Sequence, residues 1–378
     1  MNILAVTDLY PSRQSPTRGI FVFHSLRSLS EKHNIRLIQP VRNGDPEILE
    51  DHGTIVHRVP FREPFFKREF TRAWAMRGGV EHEAMRVSRD FNFDVALGIF
   101  TVPGGWLASK IARRHSKPLV VVGLGSDIHF FHKHFILGGM ALKTLKMADA
   151  VVVNAVNLKN KAVGLGADAE KVAVVPFGYD SDVFHPPLGS RPIHGKGGLF
   201  VLMVANLVEV KRPALFVEAA ARLVESGTDA DFAIAGDGYM RGDLEYLVKE
   251  RGLENHFVFY GSIPQKDLAE LYRKASCVVL TSRSEGLPFS LIESLACGTP
   301  VVSSDLPGVR EIVMDGVNGR LVENGDPEAF ASAIMDVSGW RKSPAEIAES
   351  VADRTWSRHA ELFGEILERV GGKREPGN

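Results

Sequence analysis

The sequence predicts an α/β protein of two successive doubly wound units with parallel sheets. Three observations carry that expectation. Short apolar, β-branched runs such as Asn2-Ile3-Leu4-Ala5-Val6 and Cys277-Val278-Val279-Leu280 have strand length, and helically spaced segments lie between them; this alternation belongs to parallel sheets. The alternation breaks at His185-Pro186-Pro187-Leu188-Gly189-Ser190-Arg191-Pro192 and on to Gly198, where proline, glycine and basic residues leave no period. The chain also has 378 residues, 44% of them hydrophobic, enough for two cores.

The expected division is a first domain over 1–185, a linker over 186–198, a second domain over 199–350, and a C-terminal helix over 351–378 returning to the first domain. Strands are expected near 2–7, 35–41, 54–59, 93–100, 118–123, 149–153 and 172–176. Helices are expected over 19–32, 106–113 and 136–147, the first from Ile20, Phe23 and Leu26 at helical spacing. After the break the alternation restarts with a strand at 199–204 and a helix at 213–225. Strand 231–235 leads to helix 240–251, and strand 258–260 to helix 266–274. Strand 277–280 then feeds a polar loop and a short helix that ends near Gly298-Thr299-Pro300. The cleft shared by two such units is the natural ligand site.

A formal net charge of −1 lacks the basic excess of a nucleic-acid binder. Cys277 and Cys297 both sit in apolar segments, which reads as buried thiols rather than a disulfide framework. The first residues enter a strand directly, without a basic segment and apolar signal core, and no apolar run reaches membrane-span length. A cytoplasmic protein is expected.

Glu285 falls in the loop after strand 277–280, and Glu293 in the helix that follows. A carboxylate accepts two hydrogen bonds from a vicinal diol, which suits a sugar or ribose. Two glutamates flanking a core helix, or a hydrolase acid/base pair, remain open readings. Lys211 and Arg212, after Asn206 and before Pro213, stand at the start of a crossover helix and suit a diphosphate, or are ordinary surface charge. Gly236-Asp237-Gly238 follows a strand, where glycines let the backbone approach a ligand closely, but Arg241 stands where a dinucleotide fingerprint needs glycine, so a plain tight turn is the better reading of the motif alone. Loops 7–19 and 123–129 lie where α/β sheets place ligand contacts. His129, His132 and His134 have Asp127 nearby but no helical ligand spacing, and no metal site is expected. Asp180-Ser181-Asp182 and Asp229-Ala230-Asp231 read as structural or surface acids. Over 61–77, Phe66, Phe70 and Trp74 recur every four residues among Arg62, Lys67, Arg68, Arg72 and Arg77. That is a membrane-surface segment or a helix packed by its aromatic edge.

Several segments together resemble retaining glycosyltransferases of family 4. They are Pro176-Phe177-Gly178-Tyr179-Asp180, Gly236-Asp237-Gly238, Phe259-Tyr260-Gly261-Ser262-Ile263, the run from Ser282 to Glu293, Gly298-Thr299-Pro300-Val301-Val302, Pro307-Gly308-Val309-Arg310-Glu311 and Gly316-Val317-Asn318-Gly319, in family order. The resemblance covers nearly the whole chain and is loosest over 42–89. It implies a GT-B fold of two facing Rossmann-like domains, with the acceptor on the first and a nucleotide diphosphate sugar on the second.

By the same resemblance, Glu285 and Glu293 match the E-x7-E motif, the first facing the donor sugar and the second holding the ribose. Lys211 matches the lysine that neutralises the diphosphate. Gly286, Leu287 and Pro288 match backbone positions beside sugar and phosphates, and Ser262 and Ile263 lie where relatives hold the base. Gly19 matches a glycine that closes over the phosphates, and Gly238 belongs to the donor side. Asn206 replaces a usual arginine, with Arg212 nearby, and Leu124 replaces a frequent histidine, with Asp127 able to supply a hydrogen bond. The implied catalytic set is Lys211, Glu285 and Asp127. No divalent metal or other cofactor is required, and the acceptor is a glycan or lipid-linked glycan. A GT-B epimerase and a non-catalytic nucleotide-sugar binder are the alternatives.

Overall fold

The computed structural model describes residues 1–12, 15, 18–42, 44, 47–65, 69–129, 134–189, 198–323 and 325–372. The first part of the chain runs β1 (Asn2–Val6), α1 (Ile20–Ser30), β2 (Asn34–Arg42), β3 (Glu47–Asp51), β4 (Thr54–Phe61), α2 (Glu69–Val87), β5 (Val95–Ile99), α3 (Trp106–Arg114), β6 (Leu119–Gly123), α4 (Ser126–His129), α5 (Phe135–Met147), β7 (Ala150–Val153), α6 (Val156–Gly164) and β8 (Val172–Val174). The second runs β9 (Leu199–Val204), α7 (Pro213–Glu225), β10 (Ala230–Ala235), α8 (Arg241–Glu250), β11 (Phe257–Gly261), α9 (Gln265–Lys274), β12 (Cys277–Leu280), α10 (Phe289–Ala296), β13 (Val301–Ser304), α11 (Pro307–Arg310), β14 (Gly319–Val322), α12 (Pro327–Ser338), α13 (Pro344–Glu349) and α14 (Trp356–Gly371).

The chain divides into two units, one of Met1–Gly178 with the segment from Trp356 onward, the other Tyr179–Thr355. The first unit's sheet has the order β3-β4-β2-β1-β5-β6-β7-β8, parallel except where β3 meets β4. Both faces of β1 are covered. Leu4 and Val6 enter one core with α2 and α3, and Ile3 and Ala5 enter the other with α1 and α14. That explains the unbroken apolar run, since a strand buried on both sides has no polar face to alternate with.

The segment over 179–185, expected with the first domain, belongs to the second unit. The Tyr179 N–H donates to the Arg354 carbonyl at 2.9 Å, and Nη1 of Arg273 reaches the carbonyls of Val183 and His185, both at 3.2 Å. The Phe184 ring stands edge-on to Tyr272, centroids 6.0 Å apart. These anchors join residues far apart in sequence, so no local period reports them. Within the first unit α14 lies against α1. His359 fastens it, its Nδ1–H donating to the Pro176 carbonyl at 2.9 Å while Nε2 accepts the Ser25 hydroxyl at 2.7 Å. Burial pushes this imidazole down to about 4, so it is neutral near pH 7 and suits that pairing.

In the 61–77 segment the structure shows the end of β4 and the start of α2, while Phe66, Lys67 and Arg68 lie outside the described residues. Phe70 packs on the core and Trp74 stays 57% exposed. The edge strand β3, Glu47-Ile48-Leu49-Glu50-Asp51, adds to the strands expected; with only two adjacent apolar residues it has no apolar run of strand length. Among the described residues, no helix is long and apolar enough to cross a membrane.

Candidate functional site

The second unit's sheet is wholly parallel with the order β11-β10-β9-β12-β13-β14. The winding direction changes between β9 and β12, the position in a parallel sheet where ligands generally bind. The β9 loop supplies Asn206, Lys211 and Arg212, and the β12 loop supplies residues 281 to 288.

These two loops are stitched together by backbone and hydroxyl contacts. The buried Thr281 hydroxyl lies 2.9 Å from both the Lys211 and Arg212 carbonyls, and the Arg283 N–H donates to the Val210 carbonyl at 2.8 Å. The result brings Nζ of Lys211 to 2.6 Å from Oε1 of Glu285, although 74 positions separate them. Ser282 donates its hydroxyl to the same carboxylate oxygen. The carboxylate side chain is only 8% exposed, and the lysine side chain 24%. An ammonium carries three donors, so a lysine that gives one to Glu285 can still meet an anion.

Glu293 lies one turn into α10. It is partly buried and accepts the hydroxyl of the fully buried Tyr272 at 3.0 Å. Burial pushes its carboxyl up to about 7, against the opposing pull of that hydrogen bond. Nothing in the sequence marks Tyr272: on α9 it reads as one more core aromatic, and only the packing of α9 on α10 aims its hydroxyl at the carboxylate.

The glycines do more for loop packing than the sequence suggests. A side-chain carbon on Gly236 would overlap the Ala205 carbonyl, and one on Gly238 would overlap that of Leu207. Gly236 also adopts φ 135°, which favours glycine. Gly236-Asp237-Gly238 therefore lets the backbone approach the β9 loop closely, with the Leu207 N–H donating to the Asp237 carbonyl at 2.9 Å. Gly308, at the start of α11, is absent from the candidate residues, yet a side chain there would overlap the Gly286 carbonyl. Alanine at 308 is expected to destabilise the protein by about 1–3 kcal/mol through overpacking. Thermal denaturation beside Gly242→Ala, where open space surrounds the added carbon, checks this; equal midpoints for the two variants would refute it.

The remaining candidates are spread over both units. Leu287 is buried, and Pro288 is the N-cap of α10. Ser262 is exposed and Ile263 partly buried just past β11, beside Gly261, whose carbonyl accepts the Gly236 N–H at 2.8 Å. Asn206 is exposed. Arg212 adopts φ 47° and turns Nη2 toward the Gly325 carbonyl, 3.5 Å away. Its pKa is pulled down by burial and by the neighbouring Arg283 charge.

In the first unit, Gly19 caps α1 with φ 72°, and a side chain there would press on the backbone of Leu9. Asp127 lies just past β6. Its carboxylate is 2% exposed and accepts the backbone N–H groups of Thr101, Leu124 and Gly125 at 2.8, 3.0 and 3.0 Å. Burial raises its pKa despite those bonds. Such an aspartate ties the loops after β5 and β6 together. Of the three histidines near it, His132 lies outside the described residues.

Known proteins resemble the chain at two levels. Residues 190–353 match the family model of glycosyl transferases group 1. A D-inositol 3-phosphate glycosyltransferase of Acidothermus cellulolyticus is 32% identical over 201 residues, 50% of this chain and 45% of that protein. The amylovoran biosynthesis glycosyltransferase AmsK of Erwinia amylovora is 28% identical over 223 residues, 56% and 54% of the two chains. The chain thus spans about half the length of the curated relatives it matches. Among solved structures, sucrose-phosphate synthase of Thermosynechococcus elongatus superposes with TM-score 0.78 at 18% identity, covering 99% of this chain and 100% of that one. Anabaena HepE in complex with UDP-glucose gives 0.70 at 16%, covering 98% and 100%. The chain has the fold of these proteins, two Rossmann-like α/β units of the GT-B class, and the segment that joins Lys211 to Glu285 lies inside its match to glycosyl transferases group 1.

Proposed function

We propose that the protein is a retaining glycosyltransferase that moves a sugar from a nucleotide diphosphate sugar to an acceptor hydroxyl in polysaccharide or glycolipid biosynthesis. The observation that carries this reading is the Lys211–Glu285 contact at the switch point of the second sheet, with Glu293 in the following helix. Lys211 and the backbone amides at the start of α10 face the leaving diphosphate and stabilise the charge that grows as the glycosidic bond breaks. Glu285 accepts hydroxyls of the sugar, and Glu293 those of the ribose. The acceptor hydroxyl attacks on the face the diphosphate leaves, and a donor phosphate oxygen takes its proton. Charge stabilisation in this scheme comes from the protein, and no resident metal is assigned. Anabaena HepE, which shares the fold, is solved with UDP-glucose; for this chain a nucleoside diphosphate is the donor class proposed, and the cytoplasmic side its site of action.

The test is a thermal-shift panel of UDP, GDP, ADP and their sugars, followed by nucleotide release with and without acceptor extract. A ligand at a hundred times its Kd adds about 2.7 kcal/mol to apparent stability, a readily measured rise in midpoint. The reading expects one base to stand out and nucleotide release to require acceptor. Epimerised donor, or no response to any nucleotide, would sink it.

A further inference from the structure

We propose that a cavity at the N-terminal ends of β6, β7 and β8 binds a small zwitterion of the basic amino-acid class. The cavity measures about 390 Å³. Pro118 stands just before β6 and Asp149 just before β7, while Asp168, Glu170 and Lys171 lead into β8. These strands are parallel neighbours. Their starts therefore share one rim of the sheet, opposite the rim where Asp127 joins the loops after β5 and β6. Arg369 and Val370, near the end of α14, complete the lining. All of these residues lie outside 190–353, the segment that matches glycosyl transferases group 1.

The lining carries three carboxylates and two cations that do not neutralise one another. Among the described residues, neither Lys171 nor Arg369 forms an ion pair. Oδ2 of Asp149 accepts the Leu119 N–H at 2.9 Å, and Oδ1 of Asp168 accepts the Glu170 N–H at 3.1 Å. Each bond orients its carboxylate and leaves the second oxygen to accept from a ligand. Unpaired charges of both signs around one space are the counterpart of a ligand that bears both. Its ammonium groups meet the carboxylates, and its carboxylate meets Lys171 and Arg369. A polyanion would meet three like charges there, and a bare cation two. The excess of carboxylates favours a ligand with more positive than negative groups. α14 ends at Gly371, next to this lining, and the carbonyl end of a helix adds attraction for a cation. Pro118 and Val370, both buried, supply the apolar part of the lining, which suits a methylene chain between charged ends.

Calorimetric titration of the full chain with L-lysine and with cadaverine, the same molecule without its carboxyl group, tests the proposal. L-lysine is expected to saturate one site, and cadaverine to bind about fivefold more weakly, the upper end for an ion pair open to water. Binding of both should weaken as salt rises. Lys171→Gln with Arg369→Gln should bring L-lysine down to the level of cadaverine, while cadaverine binds no more weakly than to the parent. Asp149→Asn with Glu170→Gln should weaken both probes, and the new asparagine can still accept the Leu119 N–H. Thermal midpoints equal to the parent's show that both variants fold. No saturable binding of L-lysine, equal affinity for the two probes, or L-lysine affinity unchanged in either variant would overturn the proposal. Loss of cadaverine binding in the variant without the two cations would overturn it as well. The assay involves no nucleotide, so its outcome is separate from that of the proposed transfer.

Discussion

Replacing Lys211 by methionine is expected to lower sugar transfer by about 10²–10³ in kcat, the scale of removing one preorganised donor from a developing anion. Donor binding in the ground state should weaken less, because the charge Lys211 meets is largest in the transition state. The substitution also strips Glu285 of its 2.6 Å partner and leaves its buried carboxylate with Ser282. Some loss of thermal stability is therefore expected. The double variant Lys211→Met, Glu285→Gln separates the two effects, because a neutral amide no longer needs the ammonium. The midpoint should recover in the double variant while turnover stays low. Turnover of the double variant equal to that of Glu285→Gln alone would show that Lys211 acts only through Glu285.

Glu293→Gln is expected to change the response to pH. The folded carboxyl titrates near 7 instead of its ordinary 4.5 because it is buried. Between those values the folded state holds a proton that the unfolded state has released, so stability declines as pH rises from about 4.5 to about 7 and stays level above. Glutamine removes that slope. At pH 8 the variant should be more stable by up to about 3 kcal/mol, since each tenfold change in proton affinity is worth about 1.4 kcal/mol, and at pH 4.5 or below the two should converge. Donor affinity should move the other way. If an ionised Glu293 accepts the ribose hydroxyls, parent affinity falls below pH 7, while the glutamine variant is weaker at pH 8 and flat with pH. Thermal melts and nucleotide binding across pH 5 to 8 measure both trends. Parallel midpoint curves for parent and variant would contradict the buried titration, and donor affinity unaltered at pH 8 would remove Glu293 from the site.

Much of the fold was legible because its strands are short, apolar and separated by periodic helices. Leu4 and Val6 face one core and Ile3 and Ala5 the other, and an unbroken apolar run is the sequence form of that double burial. The boundary at Tyr179 was not legible. It depends on Arg273 reaching back to Val183 and His185, a contact across some 90 residues. Within the site, the residue types at 211, 285 and 293 were readable, and their mutual geometry was not. Asp127 shows the converse. The family resemblance implies a catalytic role for it, and only tertiary structure reveals that three backbone amides donate to its carboxylate.

The sequence by itself determined the alternation of strands and helices and the two-unit α/β class, and it pointed to the loops after β9 and β12 as candidate places for a ligand. Local periodicity and turn chemistry suffice for those. The tertiary structure decided that Lys211 meets Glu285, that burial lifts the titration of Glu293 against the pull of Tyr272, and that Gly236, Gly238 and Gly308 serve loop against loop. Each of these depends on atoms brought within a few ångströms from distant parts of the chain, and on the removal of water around them. Hydrogen bonds, steric overlap and pKa all take their size from that environment, which no spacing in the sequence records.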